Sequence, residues 1–186
     1  MERAALLRRL TWQTATVIST TFETPRVKTI TLAAPDWPGH RAGQQVDVRL
    51  TAPDGYQTQR SYSITSAPED ENPSLTVERL DDGEVSPYLV DELREGDELE
   101  FRGPIDGYFV WDNELGGSLF LVAGGSGVVP RRSILRHHRA IGSPVPGAAH
   151  LYLRTNRICR DGSGRLGGLG DDPGRIRTER FGGTLV

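Results

Sequence analysis

Six short stretches in the first hundred residues alternate apolar and polar side chains with a period of two, and this pattern limits the fold more than any other feature. The stretches are Ala15 to Thr20, Val27 to Ala33, Gln45 to Leu50, Tyr62 to Ser66, Leu75 to Leu80 and Glu98 to Arg102. They are rich in Val, Ile, Thr and aromatics, as half-buried strands are. Turn residues separate them: Pro35-Asp36, Pro53-Asp54-Gly55, Pro68, Asp81-Asp82-Gly83 and Glu95-Gly96-Asp97. Short strands at this spacing predict an antiparallel six-stranded β-barrel or a sandwich. One helix is expected between the last two strands, over Ser86 to Leu93, with Ser86 as N-cap and Pro87 at the first helical position.

After Gly116-Gly117 the pattern changes. Ser118 to Ala123 is a continuous apolar run, as in a strand covered on both faces. The turn Gly124-Gly125-Ser126-Gly127 follows, then a helical stretch from Val129 to about Ala140 and a strand at His150 to Leu153. This is a βαβ opening, so a boundary is expected near residues 112–117, between a first domain at 11–112 and a second at 117–186. From Arg154 to Val186 only eight of 33 residues are hydrophobic and eight are glycine. That composition buries little against an ordering cost of roughly 1–2 kcal/mol per residue, so residues 154–186 are expected to be poorly ordered.

The single cysteine, Cys159, excludes a disulfide framework, a cysteine-ligated iron–sulfur cluster and a zinc ribbon on this chain. Residues 1–130 carry 11 basic and 21 acidic side chains, and residues 131–186 carry 11 and 4. The basic second part suits a phosphate-bearing ligand. Its arginines lie among glycines without interleaved aromatics, so no nucleic-acid partner is expected. No apolar run reaches the ~18–20 residues of a spanning helix, and the first ten residues have no apolar signal core. A cytoplasmic protein without a membrane partner is the expectation. His137 and His138 are adjacent on the expected helix and point about 100° apart; solvated residues are expected there, and no metal site.

Three motifs carry chemistry. Arg60-Ser61-Tyr62-Ser63 places a guanidinium and an aromatic ring on one face of a strand, an arrangement able to hold a conjugated ring beside its phosphate tail. Gly83-Glu84-Val85-Ser86 opens a helix, where free amides and the helix dipole favour an anion. Gly124 to Gly127 lies between strand and helix, where open α/β sheets receive a pyrophosphate. It is not the full dinucleotide fingerprint, because Pro130 stands where the third glycine would be.

In this order, with Gly103-Pro104 and Tyr108-Phe109 between the second and third motifs, the motifs resemble those of the ferredoxin–NADP reductase superfamily. The chain is most similar to its small FAD-dependent NAD(P)H oxidoreductases, over about Trp12 to His138. The resemblance implies a flavin β-barrel followed by a Rossmann-like α/β nucleotide domain. It also implies FAD as cofactor, NAD(P)H as co-substrate, hydride passing from nicotinamide C4 to flavin N5, and electrons leaving singly to a separate iron–sulfur or haem protein. By resemblance, Arg60 pairs with the FAD pyrophosphate, Tyr62 stacks on the isoalloxazine and Ser63 bonds near N5, with Tyr62 and Ser63 the catalytic pair. Ser61 belongs to the same cofactor site. The backbone at Gly83, Glu84, Val85 and Ser86 holds the phosphates, with the Ser86 hydroxyl assisting, and Gly124, Gly125, Ser126 and Gly127 shape the nicotinamide pocket.

The chain departs from the family at Asp106, where relatives often have a small residue, and in the second domain. Cys159 is followed by Arg160 where the family has a Cys-Gly-Pro turn, yet Asp172 to Gly182 looks like the family's usual C-terminus. The resemblance therefore implies an internally shortened, incomplete nucleotide domain. An FAD-binding module without NAD(P)H turnover is the alternative reading.

Overall fold

The computed structural model describes residues 10–106, 110–112, 114, 120–123, 125–141 and 150–153. Six strands form one antiparallel sheet: β1 (Gln13–Thr24), β2 (Val27–Ala33), β3 (Gln45–Thr51), β4 (Gln57–Ser63), β5 (Ser74–Glu78) and β6 (Glu98–Ile105). Their order is β4-β3-β6-β1-β2-β5. The sheet curls so that its two edges meet: Ile64 bridges Leu75, and the Thr65 amide donates to the Ser74 carbonyl at 2.8 Å. The barrel expectation holds.

The period-two pattern builds the interior. In β2 the even positions Lys28, Ile30 and Leu32 are buried and the odd ones half-buried. Val17, Val46, Val48, Leu75, Val77, Leu99 and Phe101 join them from the other strands. Lys28 occupies an inward position although it carries an amine. Its Nζ donates to the carbonyls of Val90 (3.2 Å) and Leu93 (2.5 Å), so the barrel wall holds the end of the segment that plugs it.

That segment differs from the expected helix. Tyr88–Glu92 forms a single wide turn in which the Leu93 amide donates to the Tyr88 carbonyl, five residues back. Ser86 does not cap it. Pro87 takes the N-cap position, and Ser86 Oγ accepts the Leu80 N–H at 3.0 Å. The competition is local: a serine hydroxyl beside a turn serves whichever amide is nearer. Leu89, Val90 and Leu93 are fully buried and complete the core.

The second unit begins with β7 (Phe120–Ala123), continues through α1 (Val128–Ala140) and returns in β8 (His150–Leu153). β7 and β8 pair in parallel, Phe120 opposite His150 through Ala123 opposite Leu153. The expected βαβ opening is present, and among the described residues its sheet has these two strands. The segment 154–186, with Cys159, lies outside the described residues. Four polar side chains of α1 reach the barrel. Ser133 Oγ donates to the Ser66 carbonyl at 2.6 Å, His137 Nδ1 meets Glu69 Oε1 at 2.5 Å, and Arg132 and Arg136 approach Glu23 and Asp70 at 3.4 Å. Ile134 packs with Leu121 and with Ala42 of the barrel.

Candidate functional site

β4 is displaced from its expected position. It runs Gln57–Ser63 rather than Tyr62 to Ser66, which places the whole Arg60-Ser61-Tyr62-Ser63 motif on a barrel-edge strand. Its register against β3 sets the direction of each side chain. Tyr62 is opposite Val46 and Arg60 opposite Val48, both inward-facing, whereas Ser61 is opposite Asp47. Arg60 and Tyr62 therefore share the concave side, as alternation predicts.

Tyr62 packs against the barrel core. Burial pushes its phenol up to about 12, against a smaller opposing pull from the Arg60 guanidinium. The ring is uncharged at every physiological pH. Arg60 is exposed, its guanidinium donates to the Gln59 carbonyl at 3.0 Å, and among the described residues no carboxylate lies within ion-pair distance of it. Ser63 closes the strand opposite Gln45.

Ser61 sits on the other face. Its hydroxyl donates to Asp47 Oδ1 at 2.5 Å, while Arg102 donates to Asp47 Oδ2 through Nε and Nη2 at 3.0 and 2.9 Å. Arg102 and Arg49 both lie against the Trp12 ring, at 4.7 and 4.2 Å from its centroid. This outer network braces β4 from behind. The hydroxyl grouped with the cofactor residues is thus held by a carboxylate on the convex face. Asp47, unnoticed in the sequence, fixes that strand; its one detectable signal was a charged residue inside the apolar alternation of β3.

The turn before the plug faces this strand. The Gly83 amide donates to the Leu80 carbonyl at 3.1 Å. A Cβ at Gly83 would stand 3.0 Å from Ser86 Oγ and 3.3 Å from that carbonyl, so only glycine closes the turn without displacing Ser86. Glu84 reaches back to β4: its carboxylate accepts Thr58 Oγ1 at 2.9 Å and the Tyr56 hydroxyl at 3.2 and 3.3 Å. Val85 and Ser86 are buried beneath it.

Gly103, in β6, allows a second close approach: a Cβ there would lie 2.8 Å from Val46 Cγ1, behind Tyr62. Asp106 accepts Arg41 Nη2 at 2.6 Å and Gln44 Nε2 at 2.7 Å, and these partners hold its carboxyl below its ordinary value, the Gln44 bond first. The residue that departs from the family pattern is thereby absorbed into the loop preceding β3.

Gly124 lies outside the described residues, as do Tyr108 and Phe109. Gly125 has a φ of 56°, Gly127 is buried, and its carbonyl accepts Arg131 Nη1 at 2.6 Å as α1 begins. Ser133 of the same helix binds the carbonyl of Ser66, three residues beyond Ser63. The helix that follows the glycine turn is therefore tied to the segment just after β4. His137 and His138 depart from the solvated expectation. They flank the Trp111 indole at 5.5 and 5.7 Å, because Trp111 is brought there by its amide bond to the Ala42 carbonyl. Among the described residues no cluster of side chains could hold a metal ion.

The model of the oxidoreductase FAD-binding domain matches residues 14–111. The chain belongs to that family. It is 36% identical over 115 residues to methane monooxygenase component C of Methylosinus trichosporium, covering 62% of this chain and 32% of that protein. It is 40% identical over 119 residues to NADH oxidoreductase HCR of Escherichia coli K12, covering 62% and 35%. Among solved structures, the Amycolatopsis cytochrome P450 reductase GcoB superposes with a TM-score of 0.65 at 26% identity, over 78% of this chain and 44% of that one. The chain thus spans about a third of the length of these curated relatives.

FAD is the cofactor of the family, and the residues fit it. An arginine with no carboxylate partner suits a diphosphate, a neutral half-buried ring suits an isoalloxazine, and the Gly83 turn offers backbone without a side chain in the way. No helix among the described residues is long and apolar enough to cross a membrane.

Proposed function

We propose that the chain is an NAD(P)H-dependent flavin oxidoreductase that passes electrons to a separate iron–sulfur or haem protein. The observation carrying this reading is the register of β4, which puts Arg60 and Tyr62 on one concave face beside the Gly83 turn. When bound, FAD supplies the conversion between hydride transfer and single-electron release. The protein supplies placement. Arg60 neutralises the diphosphate, and the amides of Gly83 to Ser86 assist. Tyr62 offers an uncharged face to the flavin ring, and Ser63 a hydroxyl at its edge.

We divide the chain into a flavin domain at 11–112 and a shortened nucleotide domain at 117–186, with Gly124 to Gly127 shaping the nicotinamide pocket. The contact between Ser133 and Ser66 supports this placement, since it ties the helix after the glycine turn to the segment that follows the flavin strand. The relatives' printed names, a monooxygenase component and an NADH oxidoreductase, support a reductase role. The single cysteine supports an acceptor on another chain. A nicotinamide donor and such an acceptor fit the cytoplasm.

Anaerobic titration of the FAD-loaded protein with NADH, and separately with NADPH, tests the proposal. Bleaching of the flavin absorbance by at least one nucleotide is expected. A bound flavin that dithionite bleaches and neither nucleotide does would overturn the reductase reading while leaving the flavin site intact.

A further inference from the structure

Arg79 to Pro87 connect β5 to the plug and include the amides assigned above to the diphosphate. Within the segment, the Gly83 amide meets the Leu80 carbonyl and Ser86 Oγ meets the Leu80 amide. Two carboxylates then fasten it towards opposite ends of the sheet. Glu84 reaches β4, one edge strand. Asp81 reaches the turn between β1 and β2, beside the other edge: its Oδ2 accepts Arg26 Nη2 at 3.0 Å, and its Oδ1 accepts Arg79 Nη1. Arg26 Nη2 also donates to the Arg79 carbonyl at 3.0 Å, and Arg79 Nε donates to Asp91 Oδ2 of the plug at 2.7 Å.

Arg26 is delivered by a stiff piece of chain. It lies in the two-residue turn after β1, behind Pro25, whose ring presets φ. The Arg26 amide donates to Thr24 Oγ1 at 3.2 Å, and its carbonyl accepts the Arg79 amide at 2.8 Å. The side chains of Arg26 and Asp81 are 53% and 68% exposed. Pairs this exposed add little to folding stability, yet the two arginines hold the Asp81 carboxyl below its ordinary value, Arg26 first. A carboxylate two residues from Gly83 opposes an anion through space. What Asp81 contributes to an anion site there comes from geometry instead: it fixes the point from which the Gly83 turn departs.

We propose that Arg26, Arg79 and Asp81 are positioning residues for the cofactor's diphosphate, which touch no cofactor themselves and hold in place the turn whose amides do. The proposal rests on the flavin reading above and adds three residues to it, one of them of the same charge sign as the ligand.

The test is titration of the full-length apoprotein with FAD, followed by quenching of flavin fluorescence, alongside amide exchange across residues 80–86 without flavin. Asp81→Asn is expected to weaken FAD about tenfold, the worth of one misplaced amide–phosphate hydrogen bond. It should also quicken exchange in the turn and leave the urea midpoint at the wild-type value. Arg26→Ala should do the same, and Arg26→Lys should keep the affinity within a few-fold. Arg26→Ala combined with Asp81→Asn should weaken FAD no more than either alone, because both break one contact. The sign separates this role from a purely through-space effect, by which Asp81→Asn would bind FAD more tightly. Unchanged or tighter binding by Asp81→Asn, or additive losses in the double variant, overturns the positioning role while the flavin reading stands. A loss of affinity matched by a falling urea midpoint overturns it too, since that marks a structural role. Failure of the wild type to bind FAD overturns the flavin reading and this proposal with it.

Discussion

The barrel and the βαβ unit obtain their apolar cores in different ways. Among the described residues the barrel buries fifteen hydrophobic side chains in one cluster, with members from β1, β2, β3, β5 and β6 and from the plug around Tyr88–Glu92. The second cluster has three members, and one of them, Ala42, belongs to the barrel. What α1 lacks in apolar contact it gains in polar contact: a hydroxyl on a carbonyl, a histidine on a glutamate and two arginines near carboxylates. Surface ion pairs of this kind contribute little each. Among the described residues the barrel's core is its own, whereas the small cluster that seats α1 is shared with the barrel.

The sharpest test of that difference is at the barrel centre. Phe101 is fully buried, with its ring 5.7 Å from that of Trp37. Phe101→Ala is expected to cost about 3–5 kcal/mol, read as a fall in the urea midpoint, and to loosen α1 as well. Next comes Lys28→Met, which keeps the stem but leaves the Val90 and Leu93 carbonyls without their donor. A loss of about 2–3 kcal/mol is expected, together with faster amide exchange in the plug.

Ile134→Ala probes the other side of the comparison. It should weaken the seating of α1 by about 2 kcal/mol, seen as faster amide exchange in the helix, with the barrel's urea midpoint unmoved. An equal fall in that midpoint would show that the two units unfold as one and break the comparison.

The smallest expected effect is a pH dependence at His40, which is buried where barrel and helix meet. Its Nε2 contacts the Ser66 carbonyl at 3.1 Å. Burial lowers its pKa, against raising contributions from the Ser66 carbonyl, Asp70 and Glu69, and His137 lowers it further. The unfolded chain takes up this proton near pH ~6.5 and the folded chain at a lower pH. Stability should be flat above that range and fall as the pH drops through it. Urea midpoints compared between neutral and mildly acidic buffer should show the slope, and His40→Leu should flatten it.

Much of the barrel was legible because its strands obey one rule. β2 matches its expected limits, and β3 differs by one residue, since apolar alternation marks both ends. The start of β4 is hidden for a physical reason: Gln57-Thr58-Gln59-Arg60 has no apolar alternation, because its concave face is kept for something other than core. The motif residues were legible from spacing and resemblance. The orientation of Ser61 was not, since it depends on Asp47 from another strand. Lys28 misleads in the same way: its position says interior and its chemistry says surface. The carbonyls that reconcile the two lie more than sixty residues further along the chain. His137 and His138 look solvated from the sequence because Trp111, which covers them, arrives from outside the helix.

The three tryptophans are placed so that light can distinguish the parts of the molecule. Trp12 lies against two guanidinium groups on the outer wall, Trp37 lies against the interior, and Trp111 lies between two imidazoles at the seam. The Trp111 signal therefore reports the seating of α1 against the barrel separately from the unfolding of the interior seen by Trp37. Variants that retain one tryptophan each would turn the chain's own chromophores into three independent gauges, with no external label.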